Sequence, residues 1–377
     1  MSSAGHLYPR TKESDRQQAS DQSVARCLVV NPGDLVVNPM WLTGGSIAVS
    51  DRRGAVSPDY RVFRPSPAVW PRYVHHLLRT PAYMDQYRLY TRADTTFDRR
   101  VQQEDLDELP LPLPSIAQQR RIADFLDDQV ARIDNIIAAR KAQLGLVASE
   151  LDAAWDDAAR RFRVLVSLRR FLASITDGPF GSALTSAHYV DSGTRVVRLG
   201  NIGLAEFRDD DKAYIDDSYA TQLAQHAVRV GDVLMAGLGD ERWPLGRAVV
   251  APADLGPAIV KADCYRLRFT HRLSGEFAAW YLSSPPARMR FAELARGSTR
   301  ARLNTQLARE ALVPDAARAD QDEALITFSA ARAVADRQGS ALTRSVALLV
   351  ELKRSLITAA VTGEFDVSAA DGSRVSA

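Results

Sequence analysis

Two heptad stretches, lying about 200 residues apart, constrain this chain more than any other feature. In the first, Leu126, Val130, Ile133, Ile137, Leu144, Val147 and Leu151 recur in alternating steps of four and three, with Arg140 as the one polar intruder and Ala154 continuing the series. That is the seam of a helix packing along its length on another helix. The spacing predicts a helix of roughly 40 residues, some 60 Å long at about 1.5 Å per residue. A helix of that length cannot fold back into one small globule and needs a partner. Residues 316–361 supply one, with Phe328, Ala335, Leu342, Val346, Leu349, Leu356 and Ala360 on one stripe, interrupted by Gly339 and Lys353, and with Gly363 placed to end it. The two stretches pair most simply as an antiparallel coiled coil. Prolines 110, 112 and 114 keep the approach to the first helix extended, Ser115 can cap it, and Asp124, Asp127 and Asp128 suit its early turns.

The regions preceding the two helices resemble each other. VNPGDLVVN (Val30–Asn38) matches VRVGDVLMA (Val228–Ala236), aligning Gly33-Asp34 with Gly231-Asp232. Ser46–Pro65 matches Arg247–Phe269, with Tyr60 opposite Tyr265, and Pro71–Tyr87 matches Gly275–Phe291. ELPLPLP before the first helix matches REALVPD before the second, although Gln321 looks displaced from the spacing of Gln119. A globule plus a helix has been duplicated, on a period too long for a solenoid. The expected class is α+β. Two mixed α/β globules, 1–114 and 161–314, are each followed by a long helix, in 115–160 and in 315–377 with its tail. The copies start unequally. DGPFGS opens 54 positions before Gly231, whereas Met1 stands only 32 before Gly33. The first globule is therefore expected to be short at its N-terminal side by about twenty or more residues.

Charge follows the same division. Residues 1–114 carry 14 Lys/Arg against 13 Asp/Glu and 161–314 carry 21 against 16, while 115–160 carry 6 against 8 and 315–377 carry 7 against 9. Nearly all the cations are Arg, which suits phosphate and guanine recognition, although GC-rich coding produces the same bias. Cys27 and Cys264 have no disulfide spacing and read as free thiols of a reducing compartment. No apolar run reaches the roughly 18 residues of a membrane span. The polar start lacks a secretory core. The expected location is the cytoplasm, with no membrane partner.

Three stretches resemble the DNA-specificity subunits of type I restriction-modification systems, in that family's order and over nearly the whole chain. LPLPSIAQQRRIADFLDDQVARID looks like the junction of a target-recognition domain with a spacer helix, with Gln118 where the family usually has Glu. DGPFGSALTSAHYVDSGTRVVRLGNI (Asp177–Ile202) looks like the start of a target-recognition domain, and RSLITAAVTGEFDV (Arg354–Val367) is similar to the C-terminal signature. The resemblance implies that the globules are target-recognition domains, each reading one half of an asymmetric bipartite site in double-stranded DNA. It implies that the paired helices set the half-site separation and dock methyltransferase subunits, with a restriction and translocase subunit joining through them. S-adenosylmethionine and ATP would then be bound by those partners, and this chain would carry no cofactor and catalyse nothing. A scaffold descended from such subunits but no longer reading DNA is the alternative.

Enzymatic motifs are missing from the sequence. There is no phosphate-binding GxxxxGK[ST] and no GxGxxG after a strand. VVNPGD and VNPMW lack the second proline and aromatic of an amino-methyltransferase motif. The six histidines, His6, His75, His76, His188, His226 and His271, have no metal-ligand spacing, so no metal is expected. The stretch most suited to DNA is Arg288–Asn304. Its Ser298, Thr299, Arg300 and Arg302 follow a glycine and can grip phosphates and base edges. Taken without the resemblance, it is a basic surface loop. Arg92, Thr95, Arg99 and Arg100 form a weaker equivalent in the first copy. Arg242 and Arg247 of GLGDERWPLGR, and Ser182, Arg195, Arg198 and Asn201 after DGPFGS, complete the candidate DNA contacts. Asp209-Asp210-Asp211 reads as a solvated loop.

Overall fold

The computed structural model describes residues 5–9, 25–91, 100–240, 243–294 and 302–367. The chain divides into two compact units, one made of Met1–Ala142 with Leu342–Ala377, the other of Gln143–Ala341. No helix among the described residues is long and apolar enough to cross a membrane.

Unit one begins with β1 (Leu28–Val30), β2 (Leu35–Val37), β3 (Ile47–Val49), β4 (Gly54–Val56) and β5 (Arg61–Phe63), followed by α1 (Pro71–Leu77), α2 (Pro81–Tyr90) and α3 (Gln103–Asp107). β2 is the centre of an antiparallel ladder ordered β3-β2-β5, and β1 pairs separately with β4. Apolar residues of the ladder and of α1 and α2 pack on Ala123 and Leu126 of α4 (Ile116–Arg160) and on Ala360 and Val361 of α9 (Arg318–Thr362). Within this unit the helix segments run antiparallel, since Leu126 shares a cluster with Ala360 while Lys353 Nζ lies 2.6 Å from Asp134. Gly363 ends α9 at φ +81°, in the left-handed region that favours glycine. The chain then turns back, and Phe365 stacks on Phe125 at 5.5 Å between centroids.

Unit two contains β6 (Leu165–Ser167), β7 (Leu172–Thr176), β8 (Tyr189–Val190), β9 (Thr194–Val197), β10 (Tyr214–Ile215), α5 (Asp217–Gln222), β11 (Ala227–Val228), β12 (Val233–Ala236), β13 (Ala248–Val250), β14 (Ala258–Val260), β15 (Cys264–Phe269), α6 (Gly275–Ser283), α7 (Pro285–Leu294), α8 (Thr305–Arg309) and β16 (Leu312–Pro314). One sheet runs β13-β12-β15-β7 and a second runs β11-β14-β9-β10-β8, while β16 pairs with β6. α6 packs on β12 and β13. Its Phe277 and Trp280 share a core with Trp155 of α4 and Phe328 of α9.

Each half of the duplication repeats the other in detail. β3-β2-β5 corresponds to β13-β12-β15, and β1-β4 to β11-β14. Gly33 and Gly231 both hold positive φ, +89° and +84°, and the following Asp34 and Asp232 each accept the N–H three residues back at 2.8 Å. The ladders place Arg61 opposite Val37 where Tyr265 stands opposite Met235. The counterpart of Tyr265 is therefore Arg61 and not Tyr60. Gln119 and Gln321 prove to be the same residue of the joint. Each is fully buried and donates through its amide to a carbonyl five residues back, Pro114 or Ala316, and to that of Ala68 or Arg272. Each also accepts an N–H at the start of the packed helix, from Trp70 or Ser274. Ser115 and Gln118 form a reciprocal cap, each side chain accepting the other's backbone N–H.

Leu126, Ile133 and Ile137 are buried, and Val130, Leu144, Val147 and Leu151 are half-buried, as are Leu342, Val346, Leu349 and Leu356. Ala154 is exposed, and the buried Trp155 takes its place.

Candidate nucleic-acid interface

The strand directions of unit two bring the chain segments after Thr176, Val197, Ala236 and Val260 to one rim. β14 runs parallel to β9, and β15 runs antiparallel to both β7 and β12. The DGPFGS turn is tied into this rim. Asp177 Oδ1 accepts the N–H groups of Gly178 at 2.7 Å and Asp263 at 2.9 Å. Burial pushes the Asp177 carboxyl up to about 6 against the hydrogen bonds and the nearby Arg302, which pull it down. Gly178 is required by close approach, since a Cβ there would lie 2.1 Å from the Lys261 carbonyl carbon.

On that frame, three cations and two rings lie together. Arg302 is half-exposed, with Nε 2.9 Å from Asp263 and its guanidinium 5.7 Å from the Phe180 ring centre. Lys261 and Arg198 sit 5.4 Å and 5.9 Å from the Tyr189 ring centre. Phe180 is 50% exposed, and Arg198 is paired with Asp211. Exposed ion pairs of this kind are each worth about 0–1 kcal/mol, so a phosphate can take over the guanidinium at little cost. Rings flanked by cations also suit an anionic polymer carrying flat bases.

The rim of unit one repeats the Arg302 arrangement. Arg100 Nη2 lies 3.1 Å from Asp59, at the positions that match Arg302 and Asp263. Val101 N–H bonds the Pro39 carbonyl as Leu303 N–H bonds that of Gly237. Trp41, two residues after Pro39, is 55% exposed.

The residues expected to touch DNA divide three ways. Ser182, Arg198, Arg302 and Arg100 are at the rims and at least partly exposed. Arg195, Asn201 and Arg247 are interior, which corrects the expectation for them. Arg195 is 4% exposed and bonds Asp209, the Asp211 carbonyl and the Tyr214 hydroxyl. Asn201 accepts the Arg198 N–H and donates to the carbonyls of Arg208 and Asp211. Together they organise the Asp209–Asp211 loop that the sequence suggested was merely solvated. Arg247 donates to the carbonyls of Ile202, Leu238, Pro244 and Leu199 at 2.6 to 3.1 Å, so it clamps loops together. Arg92, Thr95, Arg99, Arg242, Ser298, Thr299 and Arg300 lie outside the described residues.

Arg288 and Arg290 turn to the scaffold, Arg288 to Asp152 of α4 and Arg290 to the Tyr281 hydroxyl. Phe180, Tyr189, Lys261, Asp59 and Asp263 were missed. Phe180 could have been found, because a large aromatic in a glycine-flanked turn has little core to fill. Asp59 and Asp263 stand at similar distances before their arginines, 41 and 39 residues.

No protein-family model matches the chain. No curated protein matches it. Among solved structures, a chain from a study of complex assembly and conformational transition of the type I R-M system superposes with TM-score 0.70 at 17% identity, covering 88% of this chain and 82% of that one. The HsdS subunit from Thermoanaerobacter tengcongensis superposes with TM-score 0.50 at 18% identity, covering 89% of this chain and 82% of its own. The α+β fold with its two long helices is the one those proteins have.

Proposed function

We propose that this chain is the DNA-specificity subunit of a type I restriction-modification complex, working in the cytoplasm. Each rim reads one half of an asymmetric bipartite site in double-stranded DNA. The long helices α4 and α9 set the half-site separation and dock methyltransferase subunits, through which a restriction and translocase subunit joins. S-adenosylmethionine and ATP are bound by those partners, and this chain is not itself an enzyme.

The observation that carries this reading is the repetition of the rim pair, Arg100 with Asp59 and Arg302 with Asp263, on a fold shared with an HsdS subunit. Core residues repeat in a duplication because packing demands it. An exposed ion pair worth under about 1 kcal/mol has no such demand on it, so its repetition points to use.

The test is selection from a randomised duplex pool at physiological salt, using the full chain with its methyltransferase subunit. Specific binding should stand above a background that falls steeply with ionic strength. A bipartite motif is the expected result. A single half-site would restrict reading to one unit. No enrichment from a stable protein complex would replace DNA reading by the scaffold alternative.

A further inference from the structure

The two rims share one turn and differ in it by a single charge. The chain leaves β14 through Lys261-Ala262-Asp263 and leaves β4 through Ser57-Pro58-Asp59. Strand register fixes the equivalence on both sides of the turn. Ala258 lies opposite Val228 as Gly54 lies opposite Val30, and Tyr265 opposite Met235 as Arg61 opposite Val37. The Lys261 carbonyl accepts the Cys264 N–H at 3.0 Å, and the Ser57 carbonyl accepts the Tyr60 N–H at 3.0 Å. Two residues on, Asp263 and Asp59 hold Arg302 and Arg100. Lys261 and Ser57 are therefore one position of one turn.

Their side chains behave differently. Lys261 is partly exposed, 5.4 Å from the Tyr189 ring centre, and among the described residues no carboxylate holds its ammonium. The other cations of that rim, Arg302 and Arg198, each face an aspartate. The Ser57 hydroxyl instead folds back on its own turn. It donates to the Asp59 carboxylate and accepts the Asp59 N–H, each at 3.3 Å.

The two halves of an asymmetric duplex site have the same phosphate backbone and different bases. A contact repeated in both rims suits what the halves share, and a contact that changes at a fixed register suits what differs. Resting on the DNA-specificity reading above, we propose that this position discriminates the half-sites. Lys261 donates to the O6 and N7 edge of a guanine in the major groove, and Ser57 leaves unit one without that contact. An ammonium only donates, and guanine presents two neighbouring acceptors there, where adenine sets a donor beside N7 and thymine a methyl group beside O4. No internal ion pair has to break for Lys261 to reach the base.

The test is selection from a randomised duplex pool, using the full chain with its methyltransferase subunit, for the unaltered protein, Lys261→Met and Lys261→Arg. Methionine keeps an unbranched stem beside Tyr189 and removes the charge. The expected result is a G·C pair in one half-site at which Lys261→Met loses at least about tenfold preference, with the other half-site unchanged. A tenfold change is about 1.4 kcal/mol, the scale of one such contact. Lys261→Arg should keep the preference, because a guanidinium also donates to O6 and N7. Equal weakening of all sequences, with the salt slope lowered by about 1, would make Lys261 a phosphate contact and overturn the proposal. An unchanged motif, or relaxation at an A·T pair or in both half-sites, also overturns it. Each of these outcomes leaves the DNA reading standing, because the unaltered protein still selects a motif. No motif from the unaltered protein removes the reading and this inference together.

Discussion

Unit one and unit two are built on the same ladder, the same glutamine joint and the same rim arginine, yet they differ in what covers them. In unit two, β7 extends the ladder, and β9, β10 and β8 extend the strand pair β11-β14 into a five-stranded sheet. Among the described residues of unit one the matching pair β1-β4 has no further strand, and β4 is exposed or half-buried where its counterpart β14 is buried. The ladder and its joint thus keep one register in both units, while among the described residues the covering strands belong to unit two. The layer supplies burial, and in unit two it also supplies Phe180, Tyr189 and Arg198 to the rim. The units should therefore fail alike when the shared motif is damaged, and differently when the layer is.

The largest effect should come from the layer. Gly178→Ala puts a Cβ into the Lys261 backbone, and it is expected to destabilise unit two by on the order of 3 kcal/mol and to displace the DGPFGS turn. Denaturant unfolding followed by exchange in 258–268 checks it, and a loss under about 0.5 kcal/mol would show that the turn is not anchored there.

The shared joint comes next. Gln119→Ala and Gln321→Ala each strip a buried set of three hydrogen bonds and should cost about 1–3 kcal/mol in their own unit. A loss in one unit only would break the equivalence of the joints.

At the rims, Arg302→Ala and Arg100→Ala should each weaken DNA binding by about 1–3 kcal/mol if the arginine reads a base, or lower the salt slope by about 1 if it holds a phosphate. Titrations at several salt concentrations separate these outcomes. An effect from Arg302→Ala alone would confine reading to unit two.

The smallest effect is a pH dependence of opposite sign in the two units. The Asp177 carboxyl is raised in the folded state from 3.8 to about 6. Its contribution to unit two is full below about pH 4 and is lost as pH rises through about 6. Asp177→Asn keeps the acceptor oxygen and should flatten that slope. In unit one, burial pushes Asp127 up, but hydrogen bonds from His76 and Arg72 outweigh it and hold the group at about 2. Its stabilisation is present above about pH 4 and disappears as pH falls through about 2. Exchange measured across pH 2–7 should show both slopes, and a shared sign would refute the assignment.

Much of this was legible before the structure. The four-three spacing located the two long helices because a helix presents the same face every seven residues, whatever surrounds it. It went wrong only at Ala154, where the large Trp155 offers more area to bury. The duplication was legible because Gly33-Asp34 and Gly231-Asp232 serve a backbone turn, which is a local demand. The ladder register at Tyr60 was not, because a one-residue slip depends on which strand lies opposite.

The sequence by itself determined the long helices, the repeat and the residue types concentrated near the rims, all of which rest on local geometry or on spacing. Only the tertiary structure decided which arginines face outward. Arg247 and Arg302 have the same five donors, and what separates them is whether remote carbonyls converge on the guanidinium. The Leu199 carbonyl that holds Arg247 lies 48 residues away in the chain. Tertiary structure alone also gathered Leu35, Phe63, Val74 and Leu106, distant in the chain, around one apolar cavity in unit one.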